Sequence, residues 1–338
     1  MSTHFITQPD RTLFAGPMNL VRQAWSFNKV LTIAILVFIV LLPLPLIGMI
    51  LDPKIITGVN GWNKPLKFLI SAAVYGATFL WLLTYIKGRR RWVQTVANVT
   101  AVVLLIEIGL IVLQVVRNTT SHFNVSTPFD AAVFNVMGAA ITTLAVMNLV
   151  LAILLLVQRM DDPVLAWGLR LGVLASFVGI AVAFLMTAGP TPEQMAALEA
   201  GASLTTVGAH SVGVADGGTG LPFLGWSTQG GDLRAPHFVG LHGMQVIPLL
   251  AWWLTRPAMQ RRYRQGQRVA FVWIGGLTYM GATALLTWQA LRGQSVAAPD
   301  TLTMIVFCML FGTAALATTI TILLPAQSDR LTVTGEAS

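Results

Sequence analysis

Residues 61–84 read GWNKPLKFLISAAVYGATFLWLLT, and residues 225–255 read GWSTQGGDLRAPHFVGLHGMQVIPLLAWWLT. Each opens on Gly-Trp and passes through a proline and a phenylalanine (Pro65 and Phe68; Pro236 and Phe238). Each then becomes an apolar run that closes on Trp-Leu-Leu-Thr or Trp-Trp-Leu-Thr. The echo continues downstream. Gln114 to Arg117 precedes a polar loop and Pro128-Phe129-Asp130; Gln289 to Arg292 precedes a shorter loop and Pro299-Asp300. An apolar run of about 20 residues is long enough to cross a bilayer as a helix. An internal repeat of such runs sets the architecture before any single motif does.

Composition supports that reading. Of 338 residues, 55% are hydrophobic and 10% charged, against about 25% charged in a soluble domain. The formal charge of +8 does not indicate nucleic acid, because the basic residues flank apolar runs, where they act as topology signals. Cys308 is the single cysteine, which excludes an intramolecular disulfide and a thiolate metal cluster. Residues 1–28 hold Arg11 and Arg22 but no apolar core or small-residue cleavage site, so no cleavable signal peptide is expected.

Eight runs qualify as spans, near 29–51, 65–86, 92–116, 131–157, 164–186, 236–255, 269–290 and 301–324. Pro43 and Pro45 are expected to kink the first, and Pro248 is a candidate kink in the sixth. Lys87, Arg89, Arg90 and Arg91 crowd one loop and Arg256, Arg261, Arg262, Arg264 and Arg268 another, with Arg159 and Arg330 on the same side. The positive-inside rule then places both termini in the cytoplasm and the protein in the plasma membrane. The expected fold is all-α and integral to the membrane, with eight transmembrane helices in two parallel, pseudo-symmetric four-helix halves. A cytoplasmic or interfacial segment covers 1–28, the halves cover 29–157 and 158–324, and a cytoplasmic tail covers 325–338. The N-terminal segment reads equally as an interfacial helix or a tether.

The second half carries a long outer loop, 187–235, where the first has only 52–64. Thr191-Pro192-Glu193-Gln194 has the form of a capping box with proline at the first helical position, which predicts a short helix to about Glu199. The glycine-rich stretch that follows includes Leu221, Phe223, Leu224 and Trp226, which have apolar surface to bury. A folded lid over the outer mouth is the expectation.

Polar chemistry gathers on that outer side. His122, His210, His237 and His242 are the candidate ligands for a small molecule or metal. His237 and His242 are five residues apart, about 140° around a helix, so they do not share a face as an i,i+4 metal pair would. Arg117, Arg234 and Arg292 are candidates for gripping an anion or haem propionates. For Arg117 and Arg292 the simpler role is capping helix ends or pairing with Asp130 and Asp300. Glu107 is an acid inside the third span, costly there and a functional candidate by default. Lys67, Asn124, Asp130, Asp232 and Gln245 complete the outer polar set. Ser121 beside His122 is a weak candidate for a nucleophile–base pair.

Three stretches carry a resemblance. They are Ser121-His122-Phe123-Asn124 with Thr127-Pro128-Phe129-Asp130, Gly208-Ala209-His210-Ser211-Val212-Gly213, and Gly225 to Arg234 running on to His237 and His242. Together they resemble a family of bacterial multi-pass membrane proteins, actinobacterial above all, over most of the chain. The resemblance implies an outer polar site and assigns it no activity. Haem A synthase is similar in a looser way, having eight spans in two halves with histidines toward the outer face. Its histidines come from four spans, including the second and eighth; here those spans have none, so the similarity concerns architecture alone.

Three functions compete at this point. The first is a haem- or metal-binding membrane redox protein or enzyme, with haem b or a divalent metal as candidate cofactors. The second is a transporter of a small solute or ion under an outer lid. The third is a sensor or accessory subunit. The partners expected in each case are the lipid bilayer and a small-molecule ligand at the outer face, with no nucleic acid; the sequence does not indicate an oligomeric state.

Overall fold

The computed structural model describes residues 16–323; His4, Arg11, Arg330 and the expected tail 325–338 lie outside the described residues. Helices form where an apolar run meets a start signal. α1 (Pro17–Phe27) begins at a proline and buries none of its residues. Asn28 caps α2 (Lys29–Val40), accepting from the Leu31 amide at 2.7 Å. The run then breaks, and α3 (Pro43–Leu51) starts at Pro43, because proline offers no N–H to a helix interior. An antiparallel pair, β1 (Ile55–Ile56) and β2 (Val59–Asn60), turns the chain into α4 (Asn63–Leu83) and then α5 (Arg90–Val116). Thr127, Asp162 and Thr191 cap α6 (Pro128–Val157), α7 (Pro163–Met186) and α8 (Pro192–Glu199), each with proline first in the helix. A side-chain oxygen followed by proline satisfies or removes the amides that a helix start leaves unpaired. The capping box at Thr191 and Gln194 is formed. β3 (Ser211–Val212) pairs antiparallel with β4 (Gly231–Asp232). There follow α9 (Arg234–Leu254), α10 (Pro257–Arg262), α11 (Gln265–Leu291) and α12 (Thr301–Leu323).

This is an all-α, multi-pass membrane protein. Among the described residues seven helical segments are long and apolar enough to cross a membrane: Lys29–Leu51, Asn63–Leu83, Arg90–Val116, Pro128–Val157, Pro163–Met186, Gln265–Leu291 and Thr301–Leu323. The expected sixth span differs. α9 is 21 residues long but carries Arg234, His237, His242 and Gln245, and it is not among those seven. It is nevertheless deeply embedded, since its packing along α7 is the most extensive helix contact in the molecule. That contact tightens at Gly179 and Gly240, where a side chain on either would run into the backbone of the other helix. α9 runs through Pro248, whose ring fills the space beside Gly172.

α2 packs on α4 and α5, α4 on α5, and α5 on α6; α7 packs on α9 and α11, α9 on α11, and α11 on α12. α6 against α7 joins the two groups. The larger core holds Phe38, Phe79, Leu82, Leu83, Leu151 and Leu155, and a smaller one holds Val164, Leu171, Ala175, Ile247 and Val272. α12 leans on α11 and buries only Thr303. The connections 52–62, 117–127, 187–233 and 292–300 collect at one end of the bundle, the lid end. The arginine-rich connections collect at the other.

Candidate functional site

The long loop is a built structure. Val125 donates to the Thr205 carbonyl and Val207 to that of Phe123, both at 2.9 Å, so the lid adds an extended segment alongside the Ser121–Asn124 loop. That loop turns through Phe123 at φ 62°, and its Asn124 side chain bonds Thr119, Thr120 and Ser126. Asn124 is thus the organiser of the loop. Further along, Ser295 Oγ donates to the Ser227 carbonyl at 2.8 Å. Three successive lid carbonyls are taken by three different donors: Phe223 by Asn63 at 3.2 Å, Leu224 by Lys67 at 3.0 Å and Gly225 by Arg234 at 2.6 Å. The starts of α4 and α9 therefore hold the lid tip between them.

Beneath the lid, three of the four candidate histidines come together with a lysine. Lys64 Nζ lies 3.0 Å from His122 Nδ1, which is also 3.1 Å from Ser121 Oγ. The His122 and His210 rings are 6.4 Å apart, with Phe123 edge-on to His210 at 4.8 Å. His210 Nδ1 donates to Asp216 Oδ2 at 2.8 Å, while the amides of His210 and Ser211 bond the same carboxylate. His237 Nδ1 meets the Gly179 carbonyl at 2.7 Å. A carbonyl and a carboxylate only accept, so His210 and His237 both carry their hydrogen on Nδ1 and present a bare Nε2. Against an ammonium group the reverse holds for His122, whose Nδ1 accepts and whose Nε2–H donates. The charges of Lys64 and Arg234 both reach His210.

The other candidates have structural partners. Arg117 bonds Asp130 and Gln114, both at 2.5 Å, and Asp130 is further held by Thr127, Ser126 and Gln114. Arg292 pairs with Asp300 at 2.6 Å, and Arg234 grips Asp232, whose side chain is fully buried. His242 packs edge-on against Phe238 at 4.2 Å rather than joining the other histidines, and Gln245 reaches across to Thr78 of α4 at 3.1 Å. Glu107 lies buried in α5, and neither of its oxygens has a hydrogen-bond partner.

Burial, and then the charge of Lys64, hold the His122 imidazole well below its ordinary value of 6.5. His210 is also lowered, by burial first, although Asp216 opposes the shift. Burial of Asp216 works the other way, but the hydrogen bonds from His210 and Ser211 hold its carboxyl below the usual carboxylate range. Depressed histidines bind fewer protons folded than unfolded once the pH drops below 6.5, so stability must fall with acidification through that window. The Asp216 contribution is lost only at much lower pH. We expect the thermal midpoint of detergent-purified protein to drop between about pH 7 and about pH 5, less steeply in His210→Gln. A flat profile would contradict the assignment of neutral histidines.

Among the described residues no three His, Cys, Asp or Glu side chains converge where a metal ion would be held. The nearby cations also oppose a dication at the bare Nε2 atoms. Lys64 is the residue whose role the sequence hid. The signal was its spacing of three from Lys67 at the start of a helix, which puts two cations on one face. The chain matches no protein-family model, no curated protein and no solved structure.

Proposed function

We propose that this membrane protein binds a small oxyanion, a carboxylate or a phosphate-like group, in an outward-facing site closed by the lid. One observation carries the reading. Lys64 stands beside a neutral histidine and Lys67 under the lid tip, and neither hydrogen-bonds a carboxylate; they bond His122 and the Leu224 carbonyl instead. Enclosed cations whose hydrogen-bond partners are all neutral favour an incoming anion, and the His122 Nε2–H adds a directional donor. Oxyanions are expected to raise the thermal midpoint of the purified protein relative to chloride at equal ionic strength. At a hundredfold excess over Kd the stabilisation is about 2.7 kcal/mol, and Lys64→Met removes it. No gain with sulfate, phosphate or acetate sinks the reading.

A metal or haem site is the second reading. Its support is the pair of anchored imidazoles, His210 and His237, since metal-bound histidines also fix the far nitrogen by a hydrogen bond. The positive field and the want of a third ligand weigh against it. The transporter reading meets a different obstacle, the apolar core of Phe79, Leu83, Leu151 and Leu155 that fills the arginine half of the first helix group.

The architecture we infer is eight crossings in two parallel halves, with α9 as the sixth and both termini cytoplasmic. The matching order of packing in the two helix groups supports the repeat. α9 is polar where it lines the site and packs on α7 and α11, while Phe238, Val246, Leu249 and Trp253 keep its other side apolar and exposed. The lid then faces outward. In a Cys308→Ser background, Ala215→Cys should react with an impermeant thiol reagent on intact cells. Labelling only after permeabilisation would reverse the orientation.

A further inference from the structure

The site described above leaves Glu107 unused. Glu107 is 3% exposed, and both of its oxygens lack a hydrogen-bond partner. It lies on the face of α5 that also carries Thr100 and Gln114, seven residues away on either side and both buried. Gln114 is bonded to Asp130 and Arg117, but Glu107 and the Thr100 hydroxyl reach nothing. A bare carboxylate in that setting needs a cation or a proton.

The elements packed on α5 offer few cations. α6 has one charge, Asp130, already engaged by Arg117. α2 has only Lys29, at its arginine-end start. α4 brings Lys64, Lys67 and Tyr75. Tyr75 is bonded to Asn148, and Lys67 to the lid. The Lys64 charge is the one that reaches Glu107. Lys64 is therefore shared, because the same ammonium group touches His122 in the site.

We infer that Glu107 is a proton-binding site coupled to the lidded site, and that it takes up one proton when an oxyanion engages Lys64. The inference rests on the oxyanion reading. An anion on Lys64 satisfies the ammonium charge and leaves Glu107, about two helical turns below Gln114, without its counter-charge. One proton from solvent then converts the carboxylate to the acid, so a monoanion and a proton enter together with the charge of the interior unchanged, whereas a dianion such as sulfate adds one net negative charge. The proton arrives from the lid end, since Phe79, Leu83, Leu151 and Leu155 close the other side.

The test combines two readouts on purified protein, with sulfate and acetate as probes. Thermal stabilisation reports binding. Infrared difference spectra and a pH-indicator dye in weak buffer report protonation. In wild type we expect stabilisation, about one proton taken up per anion bound, and a new carboxylic-acid carbonyl band. Glu107→Gln should keep the stabilisation and lose both the proton and the band. Stabilisation of wild type without proton uptake or band overturns the coupling while leaving the oxyanion reading intact. Absence of stabilisation by both probes overturns the oxyanion reading, and the coupling with it. If Glu107→Gln does not fold, the wild-type band and proton count decide alone.

Discussion

Gly179→Val is expected to be the most damaging single change in the helix bundle, at about 3 kcal/mol or more. Overpacking a close contact costs roughly 1–3 kcal/mol, occasionally more, and this contact has no slack. A β-carbon at Gly179 would fall on the backbone of Gly240 and Leu241, and one at Gly240 would fall on Gly179. Neither helix has a flexible side chain there that moves aside, so α7 and α9 must separate. Small residues at helix crossings in membranes serve this purpose, since packing replaces the hydrophobic drive that lipid does not supply. The Gly179 carbonyl also takes the His237 Nδ1 hydrogen at 2.7 Å. The substitution should therefore lower the thermal midpoint and weaken oxyanion stabilisation together. An unchanged midpoint would show that the contact is looser than described.

The second large effect is a contrast between two pairs that hold matching places in the proposed repeat. Arg117→Ala should cost about 2–3 kcal/mol, whereas Arg292→Ala should cost about 1 kcal/mol or less. The chemistry is the same, an arginine at a helix end joined to an aspartate at the start of the next helix. The burial differs. The Asp130 side chain is 4% exposed and that of Asp300 is 36% exposed. Removing Arg117 leaves an enclosed carboxylate with Gln114, Ser126 and Thr127 but no cation. Their hydrogen bonds, and the partial exposure of Arg117 itself, keep the cost at the lower edge of the range for broken buried pairs. Water takes over for Asp300. Thermal unfolding of the two variants side by side decides the point, and equal losses would refute it.

The bundle was largely legible in the sequence because bilayer crossing is written locally. Apolar length announces seven of the helices, and Thr127-Pro128, Asp162-Pro163 and Thr191-Pro192 mark where three helices start. The structural pairing of Arg117 with Asp130 and of Arg292 with Asp300 followed from their positions at adjoining helix ends. α9 was harder, because its polarity reflects neighbours that hydropathy does not see. The site was legible only in part. His122, His210 and His237 converge, but His242 packs on Phe238 one turn away, and the five-residue spacing could not say which of the pair faces inward. Lys64 escaped notice because its partner, His122, is 58 residues away in the loop between α5 and α6. Such contacts depend on loop paths, and loops carry no periodicity to read.

The order in which the chain is made bears on the lid. Chains leave the ribosome N-terminus first, and their parts fold as they emerge. The lid segment 187–233 rests on Asn63, Lys67, Phe123 and Arg234, all of which precede it or follow at once. Its clasp with Ser295 does not, since that residue lies 68 positions beyond Ser227. The enclosure beneath the lid is therefore completed late in biosynthesis, after α9, α10 and α11 have been made. A chain truncated before Ser295 would hold most of the bundle yet leave its lid unclasped on that side.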